Sequence, residues 1–96
     1  MSQSEEVGIL ANLATMRLIA HSGTYSAPSI YHVGPGWVIT LQEKKKPTYV
    51  LKSQRSDSQP RFFKTAEAAF KAVMSMGMSN AIVMLNTYKP EQDSLL

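Results

Sequence analysis

Eight basic side chains fall between residues 44 and 71: Lys44, Lys45, Lys46, Lys52, Arg55, Arg61, Lys64 and Lys71, against only Asp57 and Glu67. That stretch carries a net +6, while residues 1–43 carry −2 and residues 72–96 carry −1. The chain's overall +3 is therefore concentrated at its centre. Ammonium and guanidinium groups at this density raise a positive potential that attracts polyanions, and their natural ligands are phosphate oxygens. Lys44, Lys45 and Lys46 form a tight polar turn, Lys52 follows on a strand, and Arg55 and Arg61 bracket a loop of Ser, Asp, Gln and Pro. Lys64 opens a helix whose first backbone N–H groups also favour anions. These residues are expected to bind nucleic acid, DNA in preference to RNA, chiefly through phosphates. Tyr31, Trp37 and Tyr49 lie in the same sheet, where an open-face aromatic is able to stack on a base, although Trp37 reads first as a core anchor.

Other chemistries find few residues to work with. The chain has no cysteine, which removes disulfides, thiol nucleophiles and cysteine-ligated metal. His21 and His32 stand eleven residues apart, outside any His-x-x-x-His or Gly-x-Ser-x-Gly pattern. Neither a metal site nor a catalytic triad is expected, and no cofactor. His21 reads as a helix C-terminal residue and His32 as a strand residue. Gly34-Pro35-Gly36 lacks the donor N–H at Pro35 and the following Lys-Ser/Thr of a phosphate cradle, so it reads as a hairpin turn. The expectation is a protein that is not an enzyme. Met74, Met76, Met78 and Met84 suit a core or an adaptable partner surface. Met76, Met78 and Met84 are the candidates for an oligomer interface, with a homodimer formed at edge strands. The alternative function is a protein–protein interaction module, adaptor or inhibitor, that uses its sheet edge and Met-rich strand and binds no nucleic acid.

Ninety-six residues support a single core, here assigned to residues 1–86, with 87–96 as a flexible tail. Ser2-Gln3-Ser4-Glu5 fits a capping box, and Ile9, Leu13, Met16 and Ala20 continue it as an apolar helical stripe to His21. Gly8 weakens that helix, and Gly23 ends it. Ser29–Val33, Trp37–Gln42 and Thr48–Ser53 read as a meander of strands, with Trp37, Ile39 and Leu41 on one face. Arg61-Phe62-Phe63-Lys64 suggests a short edge strand. Thr65 caps a second helix whose stripe is Ala66, Ala69, Phe70, Val73 and Met74, ending before Gly77. Ala81-Ile82-Val83-Met84-Leu85 has the length and composition of a central or interface strand. The order α-β-β-β-(β)-α-β predicts an α+β fold, an antiparallel sheet with two helices on one face. The other face is left to solvent or a partner.

No charge-flanked apolar leader and no run of about 18 apolar residues occurs, so the expected location is cytoplasmic, with no membrane partner. Gly34-Pro35 in the first hairpin and a basic residue at the start of the last helix resemble the double-stranded-RNA-binding domain, with Glu67 and Ala68 where that family places further lysines. Gly36-Trp37-Val38, Tyr49-Val50-Leu51 and Arg61-Phe62-Phe63-Lys64-Thr65-Ala66-Glu67-Ala68 resemble the sheet-plus-helix DNA-binding modules of Apetala-type plant factors and integrase arm-binding domains. That resemblance implies a sheet entering the major groove. The whole chain, from its apolar first helix to Arg-Phe-Phe-Lys-Thr-Ala-Glu-Ala-Ala and the closing helix-Gly-strand, is similar in pattern to small plasmid-borne partition and maintenance accessory proteins. The similarity implies a bacterial DNA-binding accessory role.

Overall fold

The computed structural model describes residues 8–86 and Tyr88. The Ser2–Glu5 capping box, and the tail apart from Tyr88, lie outside the described residues. The elements are β1 (Ile9–Ala11), α1 (Leu13–Ala20), β2 (Ser29–Val33), β3 (Gly36–Leu41), β4 (Tyr49–Leu51), α2 (Ala66–Ser75) and β5 (Ile82–Met84). The strands form one sheet in the order β1-β4-β3-β2-β5.

The first helix begins later than its apolar stripe suggests. Gly8 takes a left-handed φ of 86°, and Ile9 opens a strand that pairs with β4. Asn12 is the true N-cap, its side-chain oxygen accepting from the Thr15 N–H at 2.8 Å. Met16 and Ala20 are then the buried positions of α1. In α2 the Thr65 hydroxyl accepts from the Ala68 N–H at 3.1 Å, and Glu67 lies in the first turn, where the helix dipole favours it. Its buried stripe is Ala69 and Val73, extended by the capping residue Met76, while Phe70 and Met74 turn outward.

The sheet is mixed and not antiparallel. Hairpins join β2 to β3 and β3 to β4 in antiparallel pairs, but β1 lies parallel to β4 and β5 parallel to β2. The outer strands reach the sheet through helix-containing connections, which permit parallel neighbours where a tight hairpin does not. Consequently the Ala81–Leu85 run supplies an edge strand and not a central one. The expected strand at Arg61–Lys64 reduces to one isolated bridge, Trp37 with Phe63, and a second, Lys52 with Pro60, lies just before it. The β3–β4 pairing stops at Thr40 and Val50, and the Pro60–Phe63 segment fills the space where the two strands diverge.

One buried cluster joins Met16 and Ala20 of α1, Ala69 and Val73 of α2, and Met76 to Ile30, Trp37, Ile39, Leu41 and Leu51 of the sheet. By strand alternation, Val38, Thr40 and Val50 occupy the opposite face. They are buried nonetheless, and the Thr40 hydroxyl accepts from the Gln42 amide at 3.1 Å. That face is not a wet surface at its centre.

Candidate nucleic-acid interface

The structure divides the basic residues into two groups at opposite ends of β4. Lys44, Lys45 and Lys46 occupy the exposed β3–β4 turn, where the Lys46 N–H donates to the Glu43 carbonyl at 3.1 Å. Lys45 holds a φ of 64°, a left-handed conformation unusual for a side chain of this kind. A clamp from the α1–β2 connection steadies this turn. The Tyr25 hydroxyl donates to the Pro47 carbonyl at 2.6 Å, and its ring meets Tyr49 edge-on at 6.0 Å. The Ser26 N–H and hydroxyl both donate to the Glu43 carboxylate at 3.3 Å. Desolvation, helped by Tyr49 and the Glu43 carboxylate, raises the Tyr25 phenol above its ordinary pKa. The phenol therefore remains a donor at neutral pH.

Lys52, Arg55, Arg61 and Lys64 gather at the other end, around the segment that leaves β4 and enters α2. Lys52 Nζ donates to Asp57 Oδ1 at 2.7 Å, and this bond and the lysine charge lower the Asp57 carboxyl pKa. Asp57 thus offsets one of the four positive charges. The Arg61 guanidinium lies over the Phe63 ring at 4.7 Å, while its backbone N–H donates to the Leu51 carbonyl at 2.8 Å. Stacking on a ring orients guanidinium without consuming its N–H donors. Arg55 and Arg61 line an open depression of about 410 Å³ together with Ser53 and Ser56. Arg61 and Lys52 also border a smaller one of about 230 Å³ at Asn12 and Leu13, the start of α1. Gly36 makes this end possible. A Cβ there would stand 2.5 Å from the Phe63 carbonyl oxygen, so only glycine admits the Trp37–Phe63 bridge.

The aromatic residues divide as well. Trp37 is buried, stacked on Tyr88 at 5.2 Å and met edge-on by His32 at 5.0 Å, so its faces are occupied by protein. Tyr49 packs against the core. Tyr31 lies on the face opposite the helices, where desolvation raises its phenol pKa. Of the methionines assigned to an interface, Met76 is fully buried in the core and offers no surface to a partner, because the end of α2 turns inward there. Met78 packs against that core, and Met84 is exposed on β5.

Two features of the site escaped the sequence reading: the Tyr25–Ser26 clamp and the pairing of Lys52 with Asp57. A tyrosine and a serine just before Pro28 gave no signal, since their partners lie in a different hairpin. Among the described residues, no helix is long and apolar enough to cross a membrane. Comparison with protein-family models, curated proteins and solved structures finds no match to this chain.

Proposed function

We propose that this chain is a small, non-enzymatic, DNA-binding accessory protein acting through its two basic groups. The observation that carries this reading is their placement. Tyr49 and Lys52 mark about 10 Å of strand, and the lysine turn and the arginine loop extend beyond each end. A positive group at either end of a strand this long is matched in scale to the major groove, about 12 Å wide between its phosphate walls. Lys44, Lys45, Lys46, Lys52, Arg55, Arg61 and Lys64 would then contact phosphates chiefly, with little reading of base sequence. The buried Trp37 argues against base stacking as the main source of affinity. The pattern likeness to plasmid partition and maintenance accessory proteins supports a cytoplasmic, bacterial or mobile-element setting.

Fluorescence anisotropy with labelled duplex DNA tests the reading. Affinity should fall steeply as salt rises, and the triple change of Lys44, Lys45 and Lys46 to Glu should abolish binding while leaving the fold intact. Absence of binding to duplex DNA at low salt overturns the proposal.

A further inference from the structure

The far edge of the sheet has the opposite character. From Ala72 to Asn86 the chain contains no charged residue, although the whole sequence is 18% charged. Within that stretch β5 forms one edge of the sheet, and Ile82, Met84 and Leu85 are 49%, 41% and 66% exposed. Behind it, Phe70, Val73, Met74, Met78 and Val83 border an apolar groove of about 310 Å³. Exposed edges are ordinarily blunted by charge, proline or a bulge, because their free N–H and C=O groups template pairing with another strand. Nothing of that kind protects β5 among the described residues.

The hydrogen-bond phase of β5 defines what can pair with it. The Ile82 N–H donates to the Pro28 carbonyl at 2.8 Å, on the β2 side. Polar groups alternate along a strand, so those of Val83 point outward together with the Ala81 carbonyl and the Leu85 N–H, while the Leu85 carbonyl accepts from the Tyr88 N–H at 3.0 Å in the turn that follows β5. This set is self-complementary in antiparallel register. With Val83 on a two-fold axis, Val83 pairs with its own copy, the Ala81 carbonyl accepts from the Leu85 N–H of the copy, and Ile82 faces Met84 of the copy on the side away from the helices.

We propose that β5 pairs with β5 of a second copy of this chain, forming a continuous ten-stranded sheet. Charge favours a copy at this edge in particular: the basic centres of two such chains repel, and here the chains meet on a stretch, Ala72 to Asn86, that carries no charged residue. A polyanion or an acidic peptide finds no basic side chain on this stretch. The arrangement separates β4 from its copy by seven strand spacings, up to about 34 Å, which is close to one turn of duplex DNA. That spacing rests on the nucleic-acid reading; the interface itself does not.

Light scattering on the full chain at micromolar concentration should give twice the monomer mass of 10.6 kDa. Ile82→Lys with Met84→Lys should give a monomer with an unchanged circular dichroism spectrum. Because the chain has no cysteine, Val83→Cys provides an independent readout. Cα atoms of a hydrogen-bonded antiparallel pair stand about 5.5 Å apart, within disulfide range, so Val83→Cys should cross-link on oxidation where Ile82→Cys does not. A wild-type monomer, a dimer that survives both lysines, or cross-linking through Ile82→Cys in place of Val83→Cys overturns the proposal. So does a monomer whose β5 is taken by a strand of another protein. If the dimer forms but no DNA binds, the functional reading fails and the interface stands; if both hold, the monomeric variant loses the wild type's gain in affinity on duplexes longer than about 10 base pairs.

Discussion

The Nε2–H of His21 meets the carbonyl oxygen of Met76 at 2.8 Å, so the residue that ends α1 also closes the end of α2, 55 residues away. A carbonyl only accepts, which requires the proton to sit on Nε2. The last turn of α2 contains no basic side chain of its own, and His21 supplies the donor from outside.

Removing that donor should destabilise the fold modestly. His21→Ala is expected to cost about 1 kcal/mol in urea denaturation. Gly77→Ala should cost more, because Gly77 holds a φ of 83° and its Cβ would stand 2.7 Å from His21 Nε2. In the His21→Ala background the clash disappears and only the conformational penalty, about 1 kcal/mol, remains. Equal effects of Gly77→Ala in both backgrounds would show that the ring does not crowd this position.

Gly36 and Gly34 provide a sharper contrast two residues apart. Gly36→Ala drives a Cβ to 2.5 Å from the Phe63 oxygen and 3.2 Å from its carbonyl carbon, which is backbone and cannot rotate away. Relief requires breaking the Trp37–Phe63 pair, bonded at 2.8 and 2.9 Å. A loss of about 3 kcal/mol is expected, with a change in Trp37 fluorescence. A Cβ on Gly34 meets nothing within 4 Å, so Gly34→Ala should stay within about 0.5 kcal/mol of wild type.

How far these contacts were legible depends on how local their causes are. The second helix was readable because Thr65 and the Ala69–Val73 spacing act within one element, and β3 was readable because Trp37, Ile39 and Leu41 alternate. The first strand was not. Ile9 precedes Leu13 by four residues and extends a helical stripe on paper, yet its pairing with Tyr49 decides its conformation. Gly8 and Asn12, a left-handed residue and a cap bracketing three residues, were the available signal. Parallel pairing leaves no mark in β1 or β5 themselves, since it is decided by how the chain returns. The basic segment was visible as a sum, but charge density along the sequence hides the length of β4 that separates Lys46 from Lys52.

The lysine turn should loosen in alkali. Tyr25 has a raised pKa, so its protonated form contributes stability fully below the ordinary value of about 10, and the contribution is lost as pH rises through the raised value. Ionisation also deletes the 2.6 Å bond to Pro47. The buried-side desolvation of Tyr31 acts in the same direction. The denaturation midpoint of the wild type should therefore fall as pH rises above about 10, and that of Tyr25→Phe should fall less. Identical pH profiles would remove Tyr25 as the clamp.

Among the described residues, Asp57 is the one carboxylate bonded directly to a residue of the proposed phosphate-binding set, which makes it the most informative charge to delete. Its lowered pKa keeps it ionised through the ordinary carboxylate range, so the Lys52 pair is present at neutral pH and is lost only as pH falls through the lowered value. At neutral pH, then, Lys52 is partly neutralised. Asp57→Asn removes the competitor without adding bulk and should strengthen duplex binding, steepening the slope of log affinity against log salt by about 0.9, the increment for one phosphate contact. Lys52→Ala should return the slope to the wild-type value in that background. Asp57 is highly exposed, so the thermal midpoint should hardly move. An unchanged salt slope in Asp57→Asn would mean that Lys52 serves the local fold of the 53–60 loop and takes no part in binding phosphate.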